Sequence, residues 1–159
     1  MSDILRMATI SDDGLYRYEL TRRWDITKPS LVWILLNPSV ANEEIDDPTT
    51  RRCMGYARRE GFGGVTLINL FALRATRPVH LLDHPDPEGP QNAETWRRIL
   101  RYGAPAVAGW GANADNPSLP VSRALATADQ SEWFCLGHTK SGQPLHPLYL
   151  DKDLPLVPL

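Results

Sequence analysis

The chain has 159 residues, 42% of them hydrophobic, with a formal net charge of -2 and a pI near 6.1. That length suits one ordinary domain whose core needs no staples, and the charge balance excludes wrapping nucleic acid by bulk electrostatics while leaving room for a local basic face. Two cysteines, Cys53 and Cys135, are too few for a disulfide framework or a cysteine-built metal cluster, and no apolar run nears the ~18 residues of a membrane span, so a soluble cytoplasmic protein is expected.

The first elements read as a β-hairpin: Leu5 to Ile10 and Tyr16 to Leu20, separated by the turn composition Ser11-Asp12-Asp13-Gly14. Arg17, Glu19 and Arg22 alternate with Tyr16, Tyr18 and Leu20, which predicts a solvated face on an edge ribbon. Four later runs are continuous rather than alternating: Leu31 to Leu36, Val65 to Ile68, Ala106 to Trp110 and Trp133 to Leu136. Such runs suit parallel strands buried on both faces.

Between them lie helical patterns. Asp47-Pro48 is an N-cap followed by proline at the first helical position, and Cys53, Met54, Tyr56 and Ala57 form an apolar stripe that stops at Gly61 and Gly63-Gly64. A second helix runs from about Asn92 to Gly103 with Trp96, Ile99 and Leu100 inward, and a third spans roughly Pro120 to Ala128. The proline-rich segment His80 to Gln91 and the tail after Leu136 read as loops. The pattern implies one α/β domain, residues 1–159, with right-handed crossovers.

In open parallel sheets ligands bind beyond the carboxyl ends of the strands. Those ends carry Asn37-Pro38-Ser39, then Asn69 with Arg74 further on, then Trp110-Gly111, and finally His138 with His146-Pro147. Each has a plain structural reading as well. Asn37 before proline serves equally well to start a turn, and His138 and His146 read individually as structural or loop histidines. Asn69 ends an apolar strand, so its amide needs a partner. Glu43, Glu44, Asp46 and Asp47 bring up Mg²⁺, but capping by Asp47 and dipole complementarity by Asp46 explain two of them, and no metal or cofactor is expected.

Taken together, LNPSVANEEIDDPTTRRC, GFGGVTLINLFALRAT and GPQNAETW resemble the bacterial and phage family of domain of unknown function 1643, over about Tyr16 to Pro147. More distantly, the strand-end motifs Leu35-Leu36-Asn37-Pro38, Asn69-Leu70 with Arg74-Ala75, Trp110-Gly111 and His146-Pro147 are similar, in order, to those of the uracil-DNA glycosylase superfamily. That second resemblance implies a three-layer α/β/α sandwich on a central four-stranded parallel sheet, with the hairpin added. It also implies an N-glycosidic hydrolase acting on a nucleobase, nucleotide or nucleic acid. Asn37 would then position water and His146 would stabilise the departing base. Asn69 would read the base edge, and Pro38, Ser39, Arg74, Trp110, Gly111 and His138 would complete the binding site. The sequence departs from that pattern where Leu35 and Leu36 replace the leading glycine and where asparagine at 37 removes a strong base. Two alternatives stay open: a nucleobase-binding module of the same fold without chemistry, and a protein-interaction module.

Overall fold

The computed structural model describes residues 3–101, 103–112 and 132–159. Its centre is a mixed sheet of seven strands in the order β1-β2-β4-β3-β5-β6-β7. These are β1 Leu5–Ile10, β2 Arg17–Arg23, β3 Ser30–Leu35, β4 Gly64–Asn69, β5 Ala106–Ala108, β6 Trp133–Cys135 and β7 Val157–Pro158. The four continuous apolar runs become β3, β4, β5 and β6, whose mutual pairings are parallel.

The expected sandwich on a four-stranded all-parallel sheet is therefore corrected. The hairpin is not an appendage, because β2 hydrogen-bonds antiparallel to β4 and carries β1 outside it. On the other edge β7 pairs antiparallel with β6, from a tail whose prolines predicted only loop. A two-residue strand ending on proline is the kind of edge element that composition hides.

Each sheet face carries one α-helix among the described residues, and a 3-10 turn, Pro78–Leu81, adds Leu81 to the core on the α2 side. Helix α1, Pro48–Arg59, buries Cys53, Met54, Tyr56 and Ala57 against Leu31, Trp33, Leu35, Val65 and Leu67. Helix α2, Asn92–Leu100, buries Trp96 and Leu100 against Val32, Ile34, Ile68 and Leu70. The alternation of β3 and β4 between the two clusters is why both strands read as unbroken apolar runs. The predicted third helix lies outside the described residues. Among those residues no helix is long and apolar enough to cross a membrane.

The ribbon also overturns the expectation of a solvated face. Arg17 and Arg22 are 2% and 0% exposed. Arg22 shares the α1-side face with Leu20 by simple alternation, and Arg17 joins that face through a bulge: Thr9 pairs with Glu19 but Ile10 pairs with Arg17, so Tyr18 is an extra residue in β2. The slip turns Arg17 to the α1 side, where its Nη1 donates to Ala41 O at 3.0 Å, while Tyr16 and Tyr18 pack with α2.

Candidate functional site

At the carboxyl end of β3 the chain leaves the sheet as Leu36-Asn37-Pro38 and is at once tied to the segment after β4. Asn37 Nδ2 donates to Ala75 O at 2.7 Å and to Pro38 O at 2.9 Å, and Ala75 N donates to Pro38 O at 3.0 Å. Both amide hydrogens are thus committed to backbone, which leaves the Asn37 carbonyl oxygen as its available group.

Asp47 comes next, at the N-cap of α1. One carboxylate oxygen, Oδ1, accepts from Thr50 N at 2.8 Å; Oδ2 has no hydrogen-bond partner among the described residues. Its residue is 9% exposed. The preceding loop is braced from the ribbon. Asp46 accepts two hydrogen bonds from Arg6, at 3.0 and 3.1 Å, and one from Arg22 Nε at 2.8 Å, while Arg22 Nη2 donates to Asn42 O and Ile45 O. Burial pushes the Asp46 carboxyl up, but the hydrogen bonds from Arg6 and Arg22 outweigh it and hold the group below the usual carboxylate range.

The third group arrives from the tail. His146 Nδ1 accepts from Leu148 N at 3.1 Å, so the neutral ring carries its proton on Nε2. Burial lowers the His146 pKa, opposed by attraction to the Asp47 carboxylate. The imidazole is thereby a neutral N–H donor at physiological pH. Gly111 lets it stand where it does: the backbone there has φ +77°, and a Cβ would come within 3.2 Å of His146 Cβ. Gly111 N also donates to Pro144 O at 2.9 Å, and the adjoining Trp110 is fixed by Nε1 donating to Gln143 Oε1 at 2.8 Å.

Asn37, Ser39, Asp47, Trp110, Gly111 and His146 line one cleft of about 370 Å³. Beneath it is a recess of about 40 Å³ bounded by Arg17, Asn37, Pro38, Asp47, Thr50 and His146, with room for a water molecule. Arg17 Nε and Thr50 Oγ1 are buried and unpartnered among the described residues. Burial draws the Arg17 pKa down to about 10, with Asp47 pulling the other way, so the guanidinium stays charged at neutral pH and places a fixed cation under the cleft.

A family model described as protein of unknown function (DUF1643) matches residues 17–148. The chain belongs to the DUF1643 family. The matched segment of this DUF1643 protein runs from Arg17 to Leu148 and so contains every cleft residue named above. No curated protein and no solved structure matches the chain, and none of the comparisons relates it to the glycosylase superfamily.

Of the residues expected at the site, the fold brings Asn37, Pro38, Ser39, Trp110, Gly111 and His146 together around the cleft and recess. Arg74 lines a neighbouring groove that shares Ser39, Val40, Ala75 and Thr76 with the cleft, and its Nε donates to Ser39 O at 3.3 Å. His138 stands apart, bridged to Pro144 with Nε2 3.9 Å from Cys135 Sγ. Asn69 is 1% exposed and is not in the cleft wall; both its side-chain polar atoms are unpartnered among the described residues. Its carbonyl, by contrast, accepts from Asn92 Nδ2 and Trp96 Nε1, both at 2.9 Å, which pins α2 to the end of β4.

Sequence reasoning missed Arg17, Asp47 and Asn92. Asp47 reads in sequence as a cap within an acidic cluster set aside as a metal site, although a capping carboxylate has a second oxygen to offer a ligand. Asn92 and Trp96 are four apart in GPQNAETW, the spacing that sets two donors on one helix face.

Proposed function

We propose that this protein hydrolyses the N-glycosidic bond of a nucleobase in a nucleotide or nucleic acid. The reading is carried by the cleft that holds the Asp47 carboxylate, the Asn37 carbonyl and the neutral His146 N–H together. Water held by Asn37 and Asp47 attacks the anomeric carbon and gives its proton to Asp47. The carbon–nitrogen bond breaks with its electron pair left on the base, and His146 Nε2–H donates a hydrogen bond to the departing anion. A neutral donor stabilises charge that develops only in the transition state, which is where electrostatic catalysis has most effect. With Asp47 as the base, the asparagine at 37 no longer leaves the reaction without one.

A second reading, nucleobase binding without turnover, is favoured by one observation: both Asn37 amide hydrogens are spent on backbone carbonyls, so that side chain offers a ligand only an acceptor. The two separate experimentally. Protein incubated with nucleosides and with oligonucleotides carrying uracil, hypoxanthine or hypermodified pyrimidines is assayed for free base by mass spectrometry. Hydrolysis predicts release that falls about 10²- to 10³-fold in His146→Ala. Saturable binding of the same compounds with no base released would discard it in favour of the binding module.

A further inference from the structure

A second groove, about 500 Å³ in volume, runs along the outer surface of α1 and meets the cleft at Pro48 and Leu148, which line both. Its walls carry Arg51, Arg52, Arg59 and Lys152. Three acids stand near these four cations: Asp153 in the wall, Asp151 beside the wall residue Tyr56, and Glu60, whose carboxylate is engaged by Arg59 at 2.7 Å. On a chain of net charge -2 this is a local concentration of positive charge, and it opens directly onto the site proposed for chemistry.

We infer that this groove holds the phosphodiester backbone of a single-stranded nucleic acid whose target base enters the cleft; the inference rests on the nucleobase reading above and narrows its substrate to a polymer. Arg51, Gly55 and Arg59 are spaced four apart and so form one stripe of α1, with Arg52 and Tyr56 beside it. From Arg51 to Arg59 is about 12 Å of helix, the length of roughly three stacked nucleotides. The Arg52 guanidinium makes no hydrogen bond among the described residues, and Arg51 uses Nη1 only to reach Asp46 O at 2.8 Å. Arg59 gives one bond to Lys152 O and holds Glu60 in a partly exposed pair, a kind of contact that yields at little cost.

Gly55 is the independent mark. It sits exposed in the middle of α1, where glycine costs the helix about 1 kcal/mol relative to alanine. No neighbour explains it, since a Cβ there would meet nothing within 4 Å. A bare stretch of helix between arginines lets a phosphate approach the surface closely. The occupant is one strand rather than two because the loop on the other side of Pro48 presents exposed Glu43 and Glu44, which repel a second backbone, and because an unpaired base needs no extrusion to reach the cleft.

The test is fluorescence anisotropy with labelled oligothymidylate, alone and annealed to its complement, titrated at several salt concentrations with wild-type protein, the double variant Arg52→Ala/Lys152→Ala, and Gly55→Leu. The single strand is expected to bind more tightly than the duplex, and the double variant to weaken it at least tenfold. The logarithmic salt slope should drop by about 1.4 for the two lost phosphate contacts. Gly55→Leu, a better helix former, should weaken binding while raising Tm. Unchanged affinity and slope in the double variant, or tighter binding of the duplex, would overturn the groove assignment. Base release from single-stranded oligonucleotides carrying a modified base, scored separately with His146→Ala as reference, tests the chemistry, so failure of the groove and failure of the hydrolysis are told apart.

Discussion

His146 shows how a single contact sets chemistry. Because Leu148 N occupies Nδ1 and burial disfavours the imidazolium, the ring is neutral, and its pKa lies below the ordinary 6.5. The sign follows directly. Protonation would place a second proton on Nδ1 and break that bond, so the neutral donor that the proposed hydrolysis uses is complete above the depressed pKa and is lost as pH falls through it. A rate–pH profile of base release is therefore expected to be flat from neutrality down to below pH 6.5 and to fall on the acid side, and His146→Gln, which keeps an N–H donor, should retain more activity than His146→Ala. A rate that instead rises on acidification would show that an imidazolium acts as the acid. The glycine beside the ring was legible in sequence only as half of a Trp-Gly pair. Its need for φ +77° and for open space next to His146 Cβ is a three-dimensional fact.

At the scale of elements, α1 was read correctly as a capped, amphipathic helix because capping and periodicity are local, and Asp47, Pro48 and the stripe from Cys53 to Ala57 lie within one short window. What locality conceals is that the cap is also in the cleft wall. Asp47→Asn separates the two roles. Asparagine caps a helix about as well as aspartate, so the melting temperature should stay within the equivalent of about 0.5 kcal/mol, while loss of the carboxylate should slow base release by about 10²- to 10⁴-fold if it accepts the proton of water. Retained turnover in a folded Asp47→Asn protein would remove it as the base. Strand β2 gives the converse lesson. Its alternation of charged and apolar residues was real in sequence, but the extra residue at Tyr18 shifts the count, so Arg17 points inward under the cleft. Period-two reasoning cannot see a bulge, since a bulge adds a residue without leaving any mark in composition.

Over the whole molecule, the continuous runs located β3 to β6 because strands covered on both faces carry few polar interruptions, Thr66 in β4 being one. The mixed character of the sheet escaped notice because the ribbon joins β4 through backbone pairing, to which side-chain pattern is nearly blind. That ribbon is also a brace for the site. Arg6 on β1 and Arg22 on β2 converge on Asp46, one residue before the Asp47 cap, so the antiparallel edge positions the entrance of α1. Arg22 is fully buried, and removing its partner strands a charge, which costs about 3 to 5 kcal/mol; Asp46→Ala should therefore lower stability by that order. The wild-type linkage has a definite sign. The Asp46 pKa is lower in the folded protein than its unfolded value near 3.8, so the unfolded chain binds the proton first. The stabilisation is complete above about pH 5 and declines as pH falls through 4 toward the depressed folded pKa. Urea unfolding followed from pH 7 to pH 3 should show this loss in wild type and a shallower acid dependence in Asp46→Asn, which keeps an acceptor for Arg22 but has no proton to bind. Equal acid dependence in the two proteins would mean that other carboxylates govern acid unfolding and that the brace contributes no pH sensitivity.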